Sequence, residues 1–221
     1  MVNKDKAGKA GMNSGRKGGK EGNGQRHEGG RKEHAGLKRL FEHQLADVYY
    51  AEKQLVQYLP LMAQAAKNEE LVTAFNEHLT ATEGHVKLLE AVYTELGLTQ
   101  RGQKCEAIDG ILKEGQKMME EFKDDAALDA ALVCAAQKVE HYEITSYGSL
   151  CAFAEQLGMD SVCDRLETIL DEEREADELL SRLAEETLNL EADTEENGNE
   201  EHGPVEEEGQ KNTKIKAQVT A

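Results

Sequence analysis

One stretch restricts the fold of this chain more than any other. Leu132, Ala136, Val139, Glu143, Ser146, Leu150, Phe153 and Leu157 recur at alternating steps of four and three residues. That spacing lays them along one face of an α-helix, the seam by which a helix packs into a bundle. A seam is ordinarily apolar from end to end. Here its middle is Glu143, and Glu140, one turn earlier, leans to the same side. An ionised carboxylate withdrawn from water is costly unless it is paired or protonated. A fold that buries this seam must therefore bring a partner to Glu143.

Three further segments repeat the pattern. The first, about Leu37 to Lys67, has the stripe Phe41, Leu45, Val48, Glu52, Leu55, Leu59 and Met62, with Pro60 expected to kink or shift its last turn. The second follows Asn68, an N-cap with Glu69 and Glu70 in the first turn, and ends at the C-cap glycine Gly97. Its stripe is Leu71, Phe75, His78, Thr82, His85, Leu89 and Val92. The third is the Leu132–Leu157 helix, starting near Ala126 and ending at Gly158. The fourth runs from about Ser161, read as its N-cap, to Leu188, with Leu166, Ile169 or Leu170, Glu173, Asp177, Leu180 and Ala184 on its stripe. Residues 98–125 are too long for a hairpin turn, and Cys105 to Phe122 reads as a less regular helix interrupted by Gly110 and Gly115. The fold class is all-α: an up-down four-helix bundle whose second and third long helices are joined by a long crossover containing an extra helix. Two prolines, no tryptophan and few β-branched runs agree with it.

Charge divides the chain into three. Residues 1–36, low in apolar side chains and rich in glycine, carry nine Lys or Arg against four acids, net +5, and read as a disordered basic tail that contains His27 and His34. Residues 191–221 carry nine acids against three lysines, net −6, and read as a disordered acidic tail. The bundle, 37–190, keeps −17 of the total of −18. So acidic a body repels nucleic acid and anionic membranes, leaving only a weak attraction through the basic tail. No run of about twenty apolar residues exists to span a bilayer, and the N-terminus has no apolar core of a secretory signal. Cys105, Cys134, Cys151 and Cys163 have no C-x-x-C spacing and fit reduced thiols of a cytoplasmic protein, with a disulfide as the alternative.

With antiparallel hairpins, the midpoints of the four helices share one level of the bundle. Glu52, His78, His85, Glu140, Glu143, Glu173 and Asp177 then converge, and no Lys or Arg lies on any of the four stripes. Five carboxylates buried together without protein cations cannot all stay ionised. Two divalent metal ions would balance them, the imidazoles acting as neutral ligands; an oxygen-rich set with histidines suits iron or manganese, with zinc also chemically admissible. Taken singly, each Glu also fits a boundary residue and each His a hydrogen-bonded core residue. Their common depth on four helices is what points to metal. His43 and His141 fall on other faces, and Asp47 lies about 140° round the helix from Glu52, a supporting or capping position. Tyr147, one turn after Glu143, either fills the core or hydrogen-bonds a ligand carboxylate.

Asp47-Val48-Tyr49-Tyr50-Ala51-Glu52-Lys53-Gln54-Leu55, Ala135-Ala136-Gln137-Lys138-Val139-Glu140-His141-Tyr142-Glu143-Ile144, Glu172-Glu173-Arg174-Glu175-Ala176-Asp177 and, in the crossover, Lys104-Cys105-Glu106-Ala107-Ile108-Asp109-Gly110 resemble the YciE/YciF family of bacterial stress proteins. Arg16-Lys17-Gly18-Gly19-Lys20-Glu21-Gly22 resembles the Lys-Gly-Gly repeats of small bacterial stress-induced proteins. The family resemblance, over about 37–188, implies a ferritin-like fold and a homodimer. Through a distant relation to rubrerythrins and ferritins it also implies a site built from a Glu on each of two helices and Glu-x-x-His on each of the other two. This chain departs from that pattern. It has His78, Thr82 and His85, with Glu83 nearby, in place of one Glu-x-x-His; Glu173-x-x-x-Asp177 replaces the other; and the third helix has an extra Glu. The expected function is stress protection by a dinuclear site that reduces peroxide or oxidises ferrous iron. Glu140 or Glu143 would bridge with Glu173, and Glu52 and His85 would be terminal ligands. The alternatives are a non-enzymatic dimeric scaffold with a vacant or structural site and, more remotely, a nucleic-acid binder acting through the basic tail.

Overall fold

The computed structural model describes residues 35–194; the basic tail through His34, with His27, and the acidic tail from residue 195 onward lie outside it. The described residues are helical and contain no strand. Four long helices dominate: α1 (Ala35–Ala65), α2 (Glu69–Glu95), α4 (Leu128–Gln156) and α5 (Asp160–Leu183), with α3 (Glu106–Glu121) between α2 and α4. A π-helical turn, Ala184–Leu188, and a short α6, Asn189–Thr194, follow. No helix among the described residues is long and apolar enough to cross a membrane.

The ends of these helices follow from local chemistry. Asn68 Oδ1 accepts from the backbone N–H of Glu70 at 2.9 Å and of Leu71 at 3.2 Å, capping α2 as its sequence predicts. Gly97 and Gly158 both adopt positive φ, 64° and 67°. In each case the next residue bonds back to the helix: Leu98 N–H to Tyr93 O and Met159 N–H to Ala154 O, both at 2.9 Å. Pro60 sits inside α1, which continues unbroken to Ala65.

Three expectations need correction. Ser161 is no cap: α5 starts one residue earlier, and the Ser161 hydroxyl donates to Glu95 across the α2/α5 seam. Gly110 and Gly115 do not interrupt α3. Gly115 instead lets α3 approach α1, because a Cβ there would collide with the Tyr58 hydroxyl. The fourth helix is not regular to Leu188: from Ala184 it continues as a π turn, with Ala184 packed partly buried against the core and Leu188 buried in it.

The long helices close a ring in which α1 packs on α2 and α4, and α5 on α4 and α2. Cross-contacts show every neighbour to be antiparallel. Glu52 meets Tyr147, and the backbone of Lys67 meets Asp129. Glu95 meets Ser161, and His85 meets Glu172. Cys151 O meets Cys163, and Gln137 meets Ser181. The diagonal pair α2 and α4 therefore point the same way, and the chain between them must travel back along the bundle. α3 makes that return, packed on α4 and α1; Ile108 is fully buried, and Asp109 Oδ1 accepts from the Tyr50 hydroxyl at 2.8 Å.

Two apolar clusters fill the ring, one holding Leu55, Leu59, Leu71, Phe75, Leu132 and Leu180. The other holds Phe41, Leu45, Leu89, Leu150, Leu166 and Ile169. Between them runs a layer of buried polar residues.

Candidate metal centre

Each long helix sends its mid-seam polar side chains into that layer. Glu52 comes from α1, His78, Thr82 and His85 from α2, Glu140 and Glu143 from α4, and Glu173 from α5. The apolar residues a turn above and below are buried with them, so helical periodicity leaves these side chains nowhere else to go.

The ligating atoms gather in two groups that share one residue. His78, Glu140, Glu143 and Glu173 form the first, and Glu52, His85 and Glu173 the second; within each, the nitrogen and oxygen atoms lie within 4.8 Å of one another. Donors sharing one ion at bonds of about 2.1 Å are up to about 4.2 Å apart, so a spacing within 4.8 Å is near that of a metal site and would close onto an ion by small side-chain movements. Glu173 Oε1 is 3.0 Å from His85 Nδ1, and its Oε2 is 3.7 Å from His78 Nε2. Glu140 Oε1 lies 3.4 Å from His78 Nε2, and Glu52 Oε1 3.4 Å from His85 Nδ1.

Hydrogen bonding does not satisfy this cluster. Among the described residues, Glu52 Oε2, His78 Nε2, His85 Nδ1, Glu140 Oε2 and both carboxylate oxygens of Glu143 and Glu173 are buried without a hydrogen-bond partner. Buried polar atoms are almost always partnered, by protein, water or an ion. Eight orphaned donor atoms converging at one level are the chemistry of a cation site, and the residues fit two divalent ions.

The protonation equilibria express the same imbalance. Burial, reinforced by Glu173, pushes the Glu140 and Glu143 carboxyls well above the ordinary range. Glu52 is also raised by burial, against the pull of His85. For Glu173, burial is outweighed by the close approach of the His85 imidazole and the charge of His78, which hold it low. Burial disfavours the charge on His85, yet Glu173 and Glu52 raise it to about 11. Burial lowers His78. Without metal, protons balance the carboxylates.

Three supporting contacts complete the geometry. The Tyr147 hydroxyl donates to Glu52 Oε1, so it holds a carboxylate of α1 and not Glu143 of its own helix. His85 Nε2 lies 2.7 Å from Glu172 Oε2, which orients the imidazole with Nδ1 toward Glu52 and Glu173. Thr82, fully buried between the histidines, donates its hydroxyl to His78 O at 2.8 Å and joins neither group. Asp177 also stands apart. One turn beyond Glu173 it has drifted about 40° round the helix, and its carboxylate meets Gln137 at 3.2 Å and His141 at 3.3 Å. Asp47 pairs with His43 at 3.3 Å.

Sequence reasoning missed Glu172, which is off the seam, and Asp129, which is buried in the first turn of α4. Asp129 accepts from the backbone N–H of Lys67 at 2.9 Å and of Asn68 at 2.8 Å, tying the α1–α2 turn to α4. The signal for Glu172 was its adjacency to Glu173 in the acidic middle of α5. For Asp129 there was none beyond its place in a helix first turn. All four cysteines are free thiols.

Comparison with known proteins agrees with this architecture. The family described as Domain of unknown function (DUF892) matches residues 36–193. Protein YciF of Escherichia coli is 41% identical over 155 residues, 70% of this chain and 93% of that protein. The crystal structure of YciF, called there a stress protein, superimposes with a TM-score of 0.66 over 69% of this chain and 97% of its own. YcfI from Rhodopseudomonas palustris, also 41% identical, gives 0.63 over 66% and 92%. A protein from Xanthomonas campestris, 22% identical, gives 0.56 over 72% and 97% and shares the fold alone.

Proposed function

The chain belongs to the DUF892 family, and we propose that it is a ferritin-like stress-response protein holding two divalent metal ions, iron or manganese, in the polar layer of its bundle. The observation that carries this reading is the position of Glu173. Its two oxygens, both without hydrogen-bond partners, serve two separate ligand groups. Glu173 would be shared between the two ions, with Glu140 or Glu143 as the second shared carboxylate; Glu52 and His85 would hold one ion, and His78 the other. Such ions supply a change of oxidation state and open positions for peroxide or dioxygen, the chemistry of peroxide reduction or ferrous oxidation. The chain's own part is to hold these ligands in place: Tyr147 fixes Glu52, Glu172 fixes His85, and the apolar clusters on either side keep bulk water out.

The protein is further proposed to be a cytoplasmic homodimer, which light scattering on the full chain measures directly. Elemental analysis of freshly purified protein tests the metal reading. About two equivalents of iron or manganese are expected in the wild type and a loss of metal with an intact fold in Glu173→Ala; unchanged metal in that variant removes the assignment. The scaffold reading is favoured by one observation, the absence of Asp177 from both ligand groups, its carboxylate meeting Gln137 and His141 instead. It requires that no iron or manganese co-purify and that a strong chelator leave the thermal midpoint unmoved.

A further inference from the structure

A groove between α2 and α5 supports an inference that rests on the metal reading above. Of the six converging side chains, Glu52, His85, Glu143 and Glu173 have no accessible surface. His78 and Glu140 retain 10% and 3%. Both line this groove, which encloses about 730 Å³. At its inner wall, then, stand a nearly buried carboxylate and an imidazole whose Oε2 and Nε2 have no hydrogen-bond partner among the described residues.

The mouth has its own character. Glu77, Glu172, Glu175 and Glu178 line it and are exposed, against a single basic lining residue, Arg182. A smaller adjoining groove shares Glu77 and adds Glu69 and Glu70, extending the acidic edge toward the start of α2. Ala81 and Ala176 also line the larger groove, and their small side chains leave its centre open. A divalent ion with six waters, each of about 30 Å³, needs roughly 180 Å³, less than the volume of the groove.

We propose that this groove is the port by which a hydrated divalent cation enters the bundle core. The exposed carboxylates concentrate the cation at the mouth, and His78 and Glu140 displace its first waters. The ion then passes inward to Glu143 and Glu173, groups that solvent cannot reach directly. Steering of this kind raises on-rates by 10- to 1000-fold and weakens with salt.

Cobalt(II) uptake by metal-free full-length protein, followed by its visible absorption, tests the port. The triple variant Glu77→Gln, Glu175→Gln, Glu178→Gln is expected to load roughly tenfold more slowly at low salt, to show a weaker salt dependence than the wild type and to reach the same final stoichiometry. Ala176→Leu is expected to slow loading at every salt concentration, again with an unchanged end point. If the leucine variant does not fold, the triple variant, altered only at exposed positions, decides alone. Wild-type rates in the triple variant overturn the port. A wild-type protein that takes up no cobalt overturns the metal reading itself, and the port with it.

Discussion

The fully buried imidazole of His85 is held 2.7 Å from the half-exposed carboxylate of Glu172. An imidazole that binds a cation through one nitrogen needs its other nitrogen fixed, because that bond sets the tautomer and the ring's direction. Glu172→Ala should therefore lower metal affinity by about 10- to 100-fold while leaving the helical spectrum intact. Competition against a coloured chelator measures the change. Wild-type affinity in this variant would show that Glu172 does not orient His85.

Asp129 gives a prediction about the scaffold. Its two oxygens accept from the backbone of Lys67 and Asn68, tying the α1–α2 turn to α4. Hydrogen bonds to a charged acceptor contribute about 1.5–3 kcal/mol, and their loss also leaves two backbone donors unpartnered. Asp129→Ala should lower the stability by about 2–4 kcal/mol, read as a lower urea midpoint with unchanged slope. Metal content, set one bundle layer away, should be retained.

Gly115 and Tyr58 make a coupled pair. Gly115→Ala improves helix propensity by about 1 kcal/mol, but the new Cβ meets the Tyr58 hydroxyl, a buried group without a hydrogen-bond partner among the described residues. The single variant should be destabilised. Tyr58→Phe, which removes only that oxygen, should be near neutral alone and should recover at least 1 kcal/mol, by order of magnitude, when combined with Gly115→Ala. Denaturation of the four proteins of this cycle gives the coupling. Simple additivity would contradict the close approach of α3 to α1.

The polar layer makes the stabilisation by metal depend on pH. Burial, with Glu173 adding to it, raises the folded-state pKa of Glu140 and Glu143 above 4.5. Such groups favour folding below their unfolded pKa, and the advantage is lost as pH rises through the folded value. His78, lowered by burial, and Glu173, where the histidines outweigh burial, work the other way and favour folding above their unfolded values. Metal displaces protons from the raised carboxyls of Glu52, Glu140 and Glu143, so the stabilisation by metal should grow with pH. The gain is about 1.4 kcal/mol per pH unit for each proton displaced. Thermal midpoints with manganese and with chelator, taken at about pH 6 and pH 8, test the sign. A difference that shrinks with pH would place the metal elsewhere.

Legibility differed from residue to residue for physical reasons. Glu52, Glu143 and Glu173 were readable because each occupies a seam position between apolar residues that must be buried, and all three have no exposed surface. Asp177 shares the stripe with Glu173 by count, but one more turn carries it toward Gln137 and His141 of the neighbouring helix. That displacement depends on how α5 is rotated against α4. Glu172 lies outside the stripe and matters only because α2 runs beside α5 with His85 at its level. Gly115 looked like a helix breaker because propensity is a local quantity, whereas its role is set by Tyr58, far away in the chain.

The amino-acid sequence by itself determined that the chain is helical, where the long helices lie, which face of each is buried, and that acids and imidazoles occupy the middle of those faces. Helical period and the cost of burying charge suffice for that, since both act within one segment. Only the tertiary structure decided which side chains stand on each side of Glu173, that Tyr147 holds Glu52 and not Glu143, and that His78 and Glu140 alone among the six reach a groove. Those outcomes depend on the order and rotation of four helices around a ring, and a repeat along one helix holds no information about the helix that will face it.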